Sequence, residues 1–195
     1  KGSDVIYTDI WVSMGESEDL YPVRVNALSP YKVTTKMMKD TGMVESRDLT
    51  EYKTGLIEEN RLRHGLTNMK AVQMDATVYD SSSHHKADIL VCDLPCSGLG
   101  VIGKKTDIRY KMTAEKAEEL VKLQRRILDT VCDYVRPKGT MIYSTCTIRR
   151  AENEENMEWF VKEHPEFSLI SEQQMLPGDV GTDGFFIAKL LRSEE

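Results

Sequence analysis

The chain has 195 residues, 40% of them hydrophobic, and a net charge of −6; that is enough to bury one sizeable core and reads by default as one domain. No apolar run approaches the roughly 18 residues that cross a bilayer, and no secretory apolar stretch follows Lys1, so the expectation is a cytoplasmic protein with no membrane partner. The acidic balance excludes a protein coated in basic residues for phosphate neutralisation, and moves that question to local clusters.

In chain order, "DVIYTDIW" is strand-like, and "VTTKMMKDTG" reads as a helix with Gly42 as its C-terminal cap. "MVESRD" is a short strand. Thr50 to His64 is helical, with Asp48 and Glu51 spaced like a capping box. "MKAVQMDA" and "ADILVCD" are strands, with a polar loop "SSSHH" between them. A helix from about Ala114 to Val135 puts Ala117, Leu120, Val121, Leu128, Val131 and Val135 on one face, and Pro137 with Gly139 ends it. The strand "GTMIYSTC" leads to a helix from about Ala151 to His164, where Glu152, Glu154 and Glu155 suit the positive N-terminal end. "GFFIAKLL" is the last strand. Strands alternating with crossover helices predict an α/β fold, a mostly parallel Rossmann-like sheet with helices on both faces.

In such sheets ligands bind beyond the carboxyl ends of the strands. That rule selects Asp48, Asp75, the stretch Asp93 to Gly98 in "VCDLPCSGLG", and Ser144 to Thr147. The carboxylates of Asp48 and Asp75 accept hydrogen bonds only, which suits hydroxyl and amino donors such as those of an adenosyl group. Asp48 serves equally well as a helix cap. The four cysteines lack CxxC spacing and read as free thiols, with no His or Cys at ligand spacing, so no metal is expected. Cys92 and Cys132 fall within a strand and a helix, hence in the core. Cys96 and Cys146 end two strands, with Asp93 nearby, where a thiolate can act as a nucleophile. Lys104, Lys105, Arg109 and Lys111 follow the first motif, and Arg149 and Arg150 follow the second. They read as solvated loop charge or as a phosphate-positioning surface for RNA.

Four segments, "DILVCDLPCSGLGVIGKKTDIRY", "LVKLQRRILDTVCDYVRPKGTMIYSTCTI", "ENEENMEWFVKEHPEF" and "LPGDVGTDGFFIAKL", resemble the catalytic domain of the Nop2/Sun family of RNA (cytosine-5) methyltransferases, in its bacterial 16S ribosomal RNA branch. The likeness runs from about Met43 to the end. It implies a class I methyltransferase fold, S-adenosylmethionine as cofactor and RNA, in this branch 16S ribosomal RNA, as partner. It also implies Cys146 in "STCT" as the nucleophile and Cys96 in "PCSG" as the second cysteine, assisting proton removal and product release. By the same resemblance Asp93 lies at the boundary of cofactor and base, Asp75 near the adenine and Asp48 on the ribose.

Residues 1–42 depart from that family, whose domain begins with a glycine-rich cofactor loop of the form DxCAAPGGKT. Instead "GSDVIYTDIWVSMGE" and "LSPYKVTTKMMKDTG" resemble a segment of ornithine carbamoyltransferase, with Asp9, Ser13 and Met14 matching its DxWxSMG motif. The carbamoyl-phosphate motif and the HCLP segment of that family are absent. The reading is therefore a chimera, 1–42 and 43–195, in which "DVIYTDI" supplies the first strand. Besides an active enzyme, two alternatives stay open: a catalytically inactive methyltransferase-like fold that retains RNA binding through Lys104 to Lys111, and a scaffold fragment.

Overall fold

A computed structural model describes residues 42–177 and 183–194. The strand and helix expected before Gly42, with Asp9, Ser13 and Met14, lie outside the described residues. The chain divides into two compact units, Lys1–Ala76 and Thr77–Glu195.

In the first unit, strand β1 (Val44–Asp48), helix α1 (Glu51–Arg63) and strand β2 (Met69–Gln73) form a βαβ element. The strands pair in parallel, from Val44 opposite Met69 to Asp48 opposite Gln73. A parallel pair needs a crossover, and α1 provides it. The helix is capped by Thr50, whose side chain accepts from the Lys53 N–H at 3.3 Å. This corrects the expected Asp48–Glu51 capping box. The helix starts too late for Asp48 to be its cap, so the Asp48 carboxylate accepts from the Thr50 backbone N–H instead, at 3.1 Å. At the other end Gly65 takes φ 59°, a left-handed conformation that only glycine enters cheaply, and the Leu66 N–H returns to the Arg61 carbonyl.

The second unit holds a four-stranded sheet. Its strands are β3 (Ala87–Asp93), β4 (Val135–Thr145), β5 (Phe167–Met175) and β6 (Phe185–Arg192), ordered β3-β4-β6-β5. β3 and β4 are parallel, with Leu90 opposite Met141 and Asp93 opposite Ser144. β6 runs antiparallel to both of its neighbours. The parallel arrangement expected for the sheet therefore holds for β1–β2 and β3–β4 and gives way to an antiparallel edge. The sequence reading did not assign β5, whose "SEQQ" segment is polar and exposed; it is an edge strand held by pairing with β6 rather than by its own apolar pattern.

Helices α2 (Ile108–Lys111) and α3 (Ala114–Val131) connect β3 to β4, and α4 (Glu154–Glu163) connects β4 to β5. Thr113 caps α3 by accepting from the Lys116 N–H. Ala117, Val121, Gln124, Ile127, Leu128 and Val131 form its buried face. The helix ends at Val131, not Val135. Cys132–Tyr134 make a 3₁₀ turn and Val135, fully buried, already pairs with Ala87. Sheet pairing takes these residues from the helix, so Pro137 and Gly139 fall inside β4, at its irregular start. A Cβ on Gly139 would come within 2.8 Å of the Arg136 carbonyl and 3.0 Å of that of Ala87.

Leu128, Met141, Tyr143, Met157, Phe160, Phe186 and Leu190 are sealed from solvent and make the core of this unit. Among the described residues no helix is long and apolar enough to cross a membrane. Leu128→Ala is expected to cost about 2–5 kcal/mol through lost burial and a residual cavity, read as a lower urea midpoint with an unchanged slope.

Candidate active site

Two loops, each following a strand of the parallel pair β3–β4, carry the cysteines that the sequence singled out. The first runs from Asp93 through Cys96 to Gly100, and the second from Thr145 through Cys146 to Glu152. Their Sγ atoms lie 3.3 Å apart, within hydrogen-bond reach and well beyond the ~2.05 Å of a disulfide. Both thiols are partly exposed, whereas Cys92 and Cys132 are buried.

The loops are held together by a buried polar latch. Glu152, fully buried, accepts from the Ser97 N–H at 2.9 Å, the Ser97 hydroxyl at 2.5 Å and the Gln124 amide at 3.0 Å. The same Gln124 amide donates to the Pro95 carbonyl at 2.9 Å, and its oxygen accepts from Asn156 at 2.8 Å. The Ser97 hydroxyl also meets that of Thr147 at 2.8 Å. Asn153 closes the second loop, accepting from the Thr145 hydroxyl and donating to the Thr147 carbonyl. Ser97, Gln124, Thr145, Thr147, Glu152, Asn153 and Asn156 are all buried, so the cost of burying their polar groups is met by these partners.

Backbone contacts complete the arrangement. The Gly100 N–H donates to the Cys146 carbonyl at 3.1 Å, and the Gly184 N–H donates to the Gly100 carbonyl at 2.8 Å. A Cβ at Gly100 would sit 2.1 Å from the Gly184 oxygen, so only glycine allows this approach. Gly98 adopts φ 69°.

The sequence reading took in Ser97 only within the stretch Asp93 to Gly98 and passed over Gln124 and Asn156. It placed Glu152 at the start of a helix as a dipole partner. The correction is that Glu152 closes a 3₁₀ turn, Arg150–Glu152, one turn ahead of the helix and pointing inward. The available signal was Gln124, a polar residue in register with the apolar face of α3.

The thiols differ in acidity. The hydrogen bond from Cys96 stabilises the Cys146 thiolate and outweighs burial and the Asp93 carboxylate; with help from Lys105 it lowers the Cys146 pKa to about 7. Cys96, as the donor, is pushed up by that bond and by burial. Burial holds both Cys92 and Cys132 up at about 12. The arrangement sets two thiols of different acidity side by side.

Asp93, at the end of β3, accepts from the Ser144 hydroxyl at 3.3 Å. In the first unit Asp48 ends β1, and Asp75 lies exposed two residues beyond β2. Burial raises the Asp48 pKa, but the Thr50 N–H and Lys53 outweigh it and lower the carboxyl below its usual range. Its bonds to Thr50 and the Lys53 contact at 3.5 Å leave acceptor capacity for a ligand hydroxyl. Of the expected RNA contacts, Lys104 is engaged by Asp183 at 2.8 Å. Lys105 is exposed, and Arg109 lines an open cleft of about 340 Å³ with Leu99, Ile102, Ile108, Met112 and Arg149.

Residues 31–191 match the family described as 16S rRNA methyltransferase RsmB/F, and residues 1–45 match the Asp/Orn binding domain of aspartate/ornithine carbamoyltransferase. A relative named probable ribosomal RNA small subunit methyltransferase B, from Bacillus subtilis, is 37% identical over 173 residues, covering 80% of this chain and 39% of its own length. The crystal structure of PH0851 superposes with a TM-score of 0.76 at 30% identity, over 80% of this chain and 38% of that one. NSun6 from Pyrococcus horikoshii, solved with SFG, gives 0.70 at 28% identity, over 83% of this chain and 44% of that one. The chain thus spans about two fifths of the length of these relatives.

Glu152→Ala strips the acceptor from Ser97 and Gln124 and is expected to cost about 1–3 kcal/mol for each buried donor left unpaired, measured by urea denaturation. Because the Cys146 pKa is lowered, its thiolate is present above about pH 7. Alkylation by iodoacetamide, mapped by mass spectrometry, is expected to rise with pH through about 7 at Cys146 while Cys92 and Cys132 stay unmodified. Cys96→Ala is expected to move that midpoint upward.

Proposed function

The chain belongs to the 16S rRNA methyltransferase RsmB/F family, and on that premise we propose that it is an S-adenosylmethionine-dependent RNA cytosine-5 methyltransferase acting on 16S ribosomal RNA in the cytoplasm. The observation that carries this reading is the pair of partly exposed thiols, Cys96 and Cys146, set 3.3 Å apart in the loops that follow β3 and β4.

Carbon 5 of cytosine is too poor a nucleophile to take a methyl group unaided. Addition of the Cys146 thiolate to carbon 6 makes carbon 5 electron-rich, which divides one hard step into two easier ones. S-adenosylmethionine, when bound, supplies the electrophilic methyl. After transfer, carbon 5 carries both the methyl and its original proton. That proton has to pass to a base, such as water, before Cys146 can be expelled and aromaticity restored; Cys96, which carries its own proton, is placed to hydrogen-bond the departing Cys146 sulfur and so assist release of the product. Asp48 and Asp75 fit a nucleoside-bearing cofactor as hydrogen-bond acceptors for hydroxyl and amino groups, and Asp93 fits the boundary with the base. Lys105 and Arg109 supply positive charge for phosphate positioning. Because the reacting carbons are hidden in a stacked helix, the target nucleotide has to be unstacked to reach Cys146.

A second reading rests on residues 1–45, whose carbamoyltransferase match stands where the family carries its glycine-rich cofactor loop. In that reading 1–42 is a foreign segment, and the chain keeps the cysteines without productive donor binding. The test is RNA containing 5-fluorocytosine, incubated with the chain and S-adenosylmethionine and resolved on a denaturing gel. A covalent adduct that needs the donor and disappears in Cys146→Ala is expected. RNA retention with no adduct and no calorimetric donor binding overturns the enzymatic reading in favour of the second.

A further inference from the structure

The cluster at the C-terminal ends of α3 and α4 has no part in this chemistry. Cys132 follows α3 directly and is buried; His164 and Glu166 follow α4. The Cys132 Sγ lies 3.7 Å from His164 Nδ1, and Glu166 Oε1 lies 3.6 Å from the same nitrogen. The three atoms fall within 4.8 Å of one another. On its far side, His164 Nε2 bonds the Asp129 carboxylate at 2.8 Å. With that edge of the ring engaged, Nδ1 is the nitrogen that faces the thiol and Glu166. The imidazole is also fixed in orientation, stacked on Phe160 with ring centroids 4.5 Å apart.

We propose that Cys132, His164 and Glu166 bind a single zinc-class divalent cation, with Asp129 as the positioning residue for the histidine. Tetrahedral zinc, at about 2.3 Å from sulfur and 2.0–2.2 Å from nitrogen or oxygen, places S and N about 3.5 Å apart and N and O about 3.4 Å apart. The observed sulfur–nitrogen and nitrogen–oxygen separations, 3.7 and 3.6 Å, exceed these by about 0.2 Å, and sulfur and oxygen lie within 4.8 Å of each other. The donor set of thiolate, imidazole and carboxylate is one that zinc favours. Thiolate and carboxylate balance the charge of the ion, and a carboxylate on the outer imidazole nitrogen is the usual support for a metal-bound histidine. Binding exchanges the thiol proton for the metal, so one proton passes to solvent. The fourth position is left for water.

Cys132 lies 32 residues before His164, which is why local spacing predicted no metal. His84, His85 and Asp133 also cluster, but the two imidazoles stack at 3.9 Å and 20°. One ion cannot lie in both ring planes, so the stacked pair lacks the convergence that the Cys132 group has.

The test uses the full chain, dialysed against zinc and then freed of excess metal. Elemental analysis is expected to give one equivalent, and cobalt loading a thiolate-to-metal charge-transfer band. Because the catalytic thiols also bind soft metals, the deciding comparison is between Cys96→Ser/Cys146→Ser, which is expected to retain both signals, and His164→Ala and Glu166→Gln, which are expected to lose them while keeping a native circular dichroism spectrum. Asp129→Asn is expected to weaken zinc about tenfold to a hundredfold. Absence of bound zinc, or its loss in the double serine variant with retention in His164→Ala, overturns the proposal.

Discussion

A single buried carboxylate organises the second unit. Glu152 sits in a loop that follows one strand and accepts from Ser97 in a loop that follows another, while Gln124 reaches across from α3 to the same oxygen and to the Pro95 carbonyl. Any one of these hydrogen bonds is worth little net of solvation, but each donor left unpaired in this interior is expensive. The network therefore tolerates few alternative geometries. Two flexible loops are forced into one arrangement, and the thiols they carry are set at 3.3 Å rather than at whatever separation loop entropy would choose.

That separation gives chemically identical side chains different roles. Burial raises the thiols of Cys92 and Cys132 to a pKa of about 12. Cys146 is also partly buried and faces the opposing field of Asp93, yet becomes the acidic member because Cys96 donates to it. The acidity is made by a neighbour and not by general exposure to positive charge, and Lys105 is a minor contributor. The latch fixes the neighbour, and the neighbour sets the acidity.

The legible part of the sequence was its apolar pattern. "ADILVCD", "GTMIYSTC" and "GFFIAKLL" announced β3, β4 and β6, and Thr50 to His64 announced α1. The edge strand Phe167–Met175 was hidden because its polar face looks like a loop until β6 is beside it. The helix boundary at Val131 was misplaced by four residues because pairing of Val135 with Ala87 is a tertiary event with no local signal. The cysteine pair stood out through its position after strand ends and through family likeness. The residues that align the pair did not. Glu152 hid among the acids of a helix start, and Gln124 was read past as a gap in an apolar stripe.

Pro95, Ser97, Gln124, Thr147, Glu152 and Asn156, the partners of the latch, all lie downstream of the stretch 31–45 where the two family matches overlap. The network that aligns the sulfurs is thus contained in one contiguous length of polypeptide. A recombination event joining a foreign segment upstream passes no breakpoint through it, so the alignment is inherited intact whatever precedes it. The spacing of the two sulfurs is therefore a property of that one length of chain, separable in sequence from the carbamoyltransferase-like stretch.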